Sequence, residues 1–223
     1  MKKIVLFLLS AFAISVAGPY PYTHDGFFLN MALGLGYQNF ELNHSDEDVD
    51  LQELAKGTAF EYDMKIGGRI LPFTILHYTS IGIYNFAEFE INQDRHYSRY
   101  SYYDDYYDDY FYGDDGYTLC MMLFQGIGAT RYFRPYNIFA SVSVGATMFF
   151  VKSNGYYSSN EGLLGYGFQI AGGKEWWIGE NLGIGAQMSL TYGKADYDIV
   201  HFRKANSTAS AFAINFMATV TFN

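Results

Sequence analysis

The chain has 223 residues, a formal net charge of −9 and an isoelectric point near 4.9, and 20% of it is aromatic, with 22 tyrosines and 23 glycines. A net negative charge repels phosphate backbones and argues against nucleic acid as a partner. The one cysteine, Cys120, excludes an intramolecular disulfide, and no segment beyond the N-terminus has the apolar length of a membrane helix, so any passage through a membrane must use strands.

Lys2 and Lys3 precede an apolar run from Ile4 to Val16, and Ser15, Val16 and Ala17 supply small residues at alternate positions. The pattern predicts a secretory signal peptide over residues 1–17, cleaved after Ala17, with residues 18–223 forming one domain. No cysteine follows the apolar run, so a lipid anchor is not indicated.

From Phe27 the residues Leu29, Met31, Leu33, Leu35 and Tyr37 fall on one face, with Asn30, Ala32, Gly34, Gly36 and Gln38 on the other. A period of two is a strand with two different faces. His44 to Gly57 reads as a polar loop with a short helical turn at Leu51 to Ala55. A second strand sets Phe60, Tyr62, Met64 and Ile66 against Glu61, Asp63, Lys65, Gly67 and Arg69. After a turn at Pro72, a third strand over Ser80 to Ile91 has blurred parity, because Tyr84 and Phe86 oppose Ile81 and Ile83. Gln93 to Tyr117 is a loop of tyrosine and aspartate.

The remaining strands are clearer. Thr118 to Phe133 sets Leu119, Met121, Leu123 and Ile127 against Gly126, Gly128 and Thr130, with Gln125 interrupting the apolar row; Arg134 to Asn137 is a tight turn. Ile138 to Val151 alternates Val142, Val144 and Met148 with Ser141, Ser143 and Thr147. After a loop over Lys152 to Gly162, Leu164, Tyr166, Phe168 and Ile170 oppose Gly165, Gly167 and Gln169, ending at Trp176 and Trp177. A turn at Ile178 to Asn181 leads to Leu182 to Tyr192, a loop over Gly193 to Asn206, and a final strand in which Phe212, Ile214, Phe216, Ala218, Val220 and Phe222 form one apolar row.

Long links alternate with short ones, so long loops gather at one end and both termini at the other, as in an antiparallel up-and-down transmembrane β-barrel of eight strands with short periplasmic turns and long extracellular loops. A soluble lipocalin-like barrel binding an apolar ligand alternates too, but puts its apolar row inside; the glycine-rich opposite row fits a tight interior better than a solvated exterior. Trp176, Trp177, Tyr132, Phe133 and Tyr136 flank short turns, and Tyr37, Tyr62, Phe150 and Tyr192 sit near the bases of long loops, where interfacial girdles would lie.

The run Arg131-Tyr132-Phe133-Arg134-Pro135, the stretch Gly173-Lys174-Glu175-Trp176-Trp177 and the C-terminal strand with its penultimate Phe222 resemble the small outer-membrane β-barrel proteins of Gram-negative bacteria, the eight-stranded OmpA/OmpX/OmpW-like barrels. The resemblance implies a location in the outer membrane, contact with its lipid and lipopolysaccharide, and recognition of the C-terminal strand by the barrel-assembly machinery. It carries no catalytic residues.

If the apolar rows meet lipid, Glu61, Asp63, Lys65 and Arg69 point into a narrow interior, where isolated charges would cost several kcal/mol each; mutual pairing in a polar plug, not an open pore, is expected. The strongest candidate for a surface-binding loop is Tyr97 to Tyr117, in which Tyr102, Tyr103, Asp104, Asp105, Tyr106, Tyr107, Asp108 and Asp109 interleave rings with carboxylates. Such a surface suits sugars, cationic partners or divalent cations; its bland counterpart is a solvated low-complexity loop. Asp46, Asp48 and Asp50 have the spacing of an EF-hand start, but Leu51 and Gly57 stand where its Gly and Glu are required. His24, His44, His77 and His201 form no metal spacing, and no cofactor motif is present. The alternative function is a lipid A-modifying, deacylase-like barrel enzyme, for which His96, Ser98 and an acid at Glu88 or Glu90 would be the triad.

Overall fold

The computed structural model describes residues 26–45, 49–87, 89–95, 118–152, 163–199 and 205–223. The expected signal segment 1–17, the loop 97–117 with its eight candidate residues, and Glu88, His96 and Ser98 lie outside them, as do Asp46 and Asp48. The described segments are β1 (Phe27–Ser45), β2 (Val49–Leu71), β3 (Thr74–Ala87), β4 (Phe89–Arg95), β5 (Thr118–Phe133), β6 (Ile138–Lys152), β7 (Leu163–Trp177), β8 (Leu182–Ile199) and β9 (Ala205–Phe222).

Every pairing is antiparallel, and the order β1-β9-β8-β7-β6-β5-β3-β2 closes through β2 onto β1. β4 pairs with β2 in the register that β3 began, Ala59 facing Asn85 and Ala55 facing Phe89, so β3 and β4 are two parts of one stave. The result is a closed barrel of eight staves. Followed across the ladders, Leu29 leads to Ile66, Tyr78, Ile127, Val144, Phe168, Tyr192 and Phe212 and returns to β1 at Asn39, ten residues beyond its start. That stagger tilts the staves by roughly 40° from the barrel axis and leaves an interior just wide enough for side chains.

The alternation resolves which row faces outward. Leu35 is 61% exposed, Ile127 66% and Phe216 67%, while Gln38, Thr79 and Asn215, on the opposite rows, are at 0%. The apolar rows therefore form the outer wall and the small and polar rows line the lumen, the reverse of a lipocalin-like barrel. An outer wall of this kind is stable only against hydrocarbon, so the fold is a transmembrane one. Phe133, Tyr136 and Trp176 are exposed at the end bearing the tight turns, and Tyr37 and Tyr166 nearer the other, as interfacial girdles require. Tyr132 departs from the expected girdle: it is buried in the lumen.

The ladders run further than the apolar pattern. β1 and β2 stay paired through Ser45 and Asp50, so Leu51 to Ala55, expected as a helical turn, is strand. β8 and β9 likewise pair through Ile199 and Ala205, and β3 begins at Thr74 rather than near Ser80. A hairpin ladder satisfies its own backbone groups in water as well as in lipid, so its length is not limited to the apolar stretch.

The tight turns close the opposite end. Phe73 and Asn137 adopt positive φ, 62° and 52°. Asn tolerates that conformation, whereas Phe73 is held there by packing on Phe28, Ile75, Tyr132 and Phe139, with the Arg134 guanidinium 4.4 Å from its ring centroid.

Candidate functional site

Buried side chains line the lumen in layers. At the turn end, three rings, Phe28, Tyr132 and Phe139, form an apolar floor with Ile75. Just within it, the Tyr132 hydroxyl donates to Glu175 Oε1 at 3.0 Å, Thr221 Oγ1 donates to the same oxygen at 2.6 Å, and Asn30 Nδ2 donates to Thr221 Oγ1 at 2.7 Å. These four side chains come from β5, β7, β9 and β1 and brace more than half the barrel circumference.

Above this lies a histidine among hydroxyls. His77 Nδ1 is 2.9 Å from Thr79 Oγ1, and its Nε2 is 3.0 Å from Thr130 Oγ1 and 3.4 Å from Ser141 Oγ. Thr130 donates to Ser141 at 2.9 Å, and Thr79 and Ser143 are 2.9 Å apart. The ring fits because β5 carries Gly128 beside it: a Cβ there would overlap Ser143 Oγ and lie 2.6 Å from His77 Cε1. His77 and Ser141 superficially look like a base and its nucleophile, but the ring nitrogens meet only hydroxyls and the Phe28 ring lies over the group, 6.2 Å between centroids.

The mid-lumen layer is built on β2, whose inward row supplies Glu61, Asp63 and Lys65, all at 2% exposure or less. Glu61 accepts from Ser189 Oγ at 3.1 and 3.2 Å through its two oxygens, from Gln169 Nε2 at 3.2 Å and from Asn215 Nδ2. Asp63 Oδ2 forms a salt bridge with Lys65 Nζ and accepts from Gln169 Nε2 at 3.1 Å and Gln187 Nε2 at 3.3 Å. Donors thus reach β2 from β7, β8 and β9. Gly36 makes room for Asn215, since a Cβ there would overlap the amide oxygen. Of the four charges expected in one group, the structure brings together Glu61, Asp63 and Lys65. Arg69 is exposed at the turn-end mouth, beside the register shift between Arg69 and Leu71.

The loop-side half of the lumen is mainly apolar, with Gln38 and Asn85 buried within it, which the inward row of β2 does not foretell. Phe40, Ile81, Ile83, Met122, Phe124 and Phe149 are fully buried against a wall of alanines, Ala55, Ala59, Ala195, Ala209, Ala211 and Ala213. Large residues from β1, β3, β5 and β6 insert toward small ones from β2, β8 and β9. The signal in the sequence was the large apolar residue on the wrong parity, as at Phe149 between Met148 and Phe150.

Among the described residues no group of three or more His, Cys, Asp or Glu could hold a metal ion. No family model matches the chain, and no curated protein does. In solved structures the chain is similar to Neisserial surface protein A (10% identity, 88% of this chain and 96% of that one, TM-score 0.46). It is also similar to the outer membrane protein OprG from Pseudomonas aeruginosa (6%, 90% and 98%, 0.45) and to the outer membrane protein AlkL studied in lipid bilayers (10%, 90% and 92%, 0.47). By its own closure, stagger and outer wall, the chain is a small eight-stranded transmembrane β-barrel.

Proposed function

We propose that the protein is an outer-membrane barrel that conducts nothing and acts as a rigid platform, presenting its acidic, tyrosine-rich loop residues 97–117 outside the cell. The observation that supports this reading is contact across the lumen between opposed staves, Phe40 with Phe149 and Glu61 with Gln169. Arg95 and Thr118, which bracket the loop, both lie at the end away from the tight turns. Rings and carboxylates in that composition suit stacking on sugars or capture of cationic groups. Export by the N-terminal segment, contact with lipopolysaccharide and delivery to the assembly machinery through β9 belong to the same reading.

Two measurements test it. In planar bilayers the purified barrel is expected to show no conductance steps; steady openings would overturn the closed reading. Binding of the detergent-solubilised barrel to a glycan array and to immobilised polylysine is expected to disappear when residues 97–117 are replaced by a short Gly-Ser link while heat-modifiable mobility persists. Binding unchanged by that replacement would overturn the platform reading.

A further inference from the structure

We propose that the outer wall at the turn end is a binding surface for anionic phospholipid headgroups, with Arg131, Arg134 and Lys174 as the cations that meet their phosphates. The inference needs only the transmembrane barrel and is independent of what the outer loops bind.

The first observation is a local reversal of charge. The chain as a whole carries −9, yet at the turn end Arg131 and Arg134 are exposed and Lys174 is half-buried, and no carboxylate among the described residues pairs with any of the three. Of the described acids at this end, Glu175 faces the lumen, where it accepts from Tyr132 and Thr221, and Glu180 stands in the turn between β7 and β8. Cations without carboxylate partners at a membrane boundary attract anionic lipid.

The second, independent observation is that each cation is fixed in place with donors to spare. Arg131 Nη1 donates to the Pro72 carbonyl at 2.6 Å and to Thr74 Oγ1 at 2.7 Å, which leaves the Nε–Nη2 edge of the guanidinium for two phosphate oxygens. Arg134 lies over the Phe73 ring of the same turn, 4.4 Å from its centroid. Lys174 Nζ lies 5.8 Å from the ring centroid of Tyr136, two residues after Arg134, and 5.6 Å from that of Trp176. A ring face holds a cation and leaves its N–H groups to other acceptors. Phe133 and Trp176, two residues nearer the turns than Arg131 and Lys174, mark the interface, so the stems of both cations carry their charge to headgroup level.

Between Arg131 and Lys174 the wall is low. Arg131, Ala140 and Gly172 are register partners on adjacent strands, and a Cβ built on Gly172 would meet nothing nearer than Phe139 O, at 3.5 Å. This strip is two strand spacings across, about 10 Å, and takes an acyl chain of the bound lipid.

The protein carries its own reporter. It has two tryptophans, Trp176 on the outer wall beside Lys174 and Trp177 next to it. The barrel is refolded into vesicles of phosphatidylcholine and phosphatidylglycerol in which the acyl chains of one lipid or the other are brominated, and tryptophan quenching is compared at equal mole fractions, each against the unbrominated mixture. Association of phosphatidylglycerol relative to phosphatidylcholine is expected to be about threefold or more and to shrink in about 0.5 M sodium chloride. It is expected to fall to unity in the triple variant Arg131→Gln, Arg134→Gln, Lys174→Gln. A second variant, Arg134→Gln with Lys174→Gln, keeps the Arg131 bonds to Pro72 and Thr74 and is expected to lose more than half of the preference. Heat-modifiable mobility identifies the folded fraction in each case. Equal quenching by the two lipids in the folded wild type would overturn the proposal, as would an undiminished preference in either folded variant.

Discussion

Phe40 of β1 and Phe149 of β6 meet edge to face, their ring centroids 5.8 Å apart, although their staves are diametrically opposed, with three others between them on either side. One aromatic pair therefore spans the barrel interior. Glu61 of β2 and Gln169 of β7, also on opposed staves, span it again within the polar layer.

The aromatic pair predicts a specific failure when it is removed. Phe149→Ala deletes a ring at 0% exposure from a packed core and is expected to destabilise the barrel by about 3–5 kcal/mol, read as an earlier midpoint in denaturant unfolding. The double variant Phe40→Ala, Phe149→Ala removes the whole apolar bridge. It is expected to show conductance steps in planar bilayers where the wild type shows none; silence in a folded double variant would mean that the polar layer alone closes the lumen.

Lys65 and Asp63 yield an asymmetric pair of outcomes. Lys65→Met leaves Asp63 buried without its ammonium and is expected to cost about 3–5 kcal/mol. Adding Asp63→Leu removes the stranded charge and is expected to recover a large part of the loss. Unfolding midpoints of the wild type, the two single variants and the double variant complete the cycle, and simple additivity would refute the pairing.

These interior contacts also mark where sequence reading reached its limit. The outward rows were legible because lipid demands an unbroken apolar face: Leu29 to Tyr37 and Phe212 to Phe222 alternate cleanly. The inward rows obey no such rule, since a narrow lumen is a protein core and accepts polar and apolar residues alike. Where it is apolar, both rows of a strand are apolar and parity vanishes, which is why Ile81 and Ile83 against Tyr84 looked ambiguous; both isoleucines face inward. Gln125, which interrupts an outer row, is matched across strands: it accepts from the Tyr78 hydroxyl and donates to Ser80 Oγ at 2.9 Å. No single strand reveals such a partner. Arg69 follows the parity of Glu61, but parity carries no depth, and near the turn its side chain is exposed.

At the turn end, Tyr132→Phe tests the brace across the floor. The ring remains in its cluster while Glu175 Oε1 loses one of two hydroxyl donors, so a loss of about 1–3 kcal/mol is expected, smaller than for Tyr132→Ala. Equal losses for the two substitutions would mean that the hydroxyl contributes nothing measurable.

The sharpest test of which row faces lipid uses two adjacent residues of β6. Val144 is 54% exposed on the outer wall and lies near the middle of the apolar band, whereas Ser143 is at 1%, with its hydroxyl 2.9 Å from Thr79 Oγ1. Val144→Arg places a charge in hydrocarbon and is expected to cost about 2–4 kcal/mol in a bilayer. In detergent micelles, where the arginine reaches water along its own stem, most of that cost should vanish. Ser143→Ala is expected to lose about 1 kcal/mol in either medium, because its partner is another side chain of the lumen. If the medium instead changed the cost at Ser143 and left Val144→Arg unaffected, lipid would lie against the row assigned here to the lumen, and the barrel would be inside out.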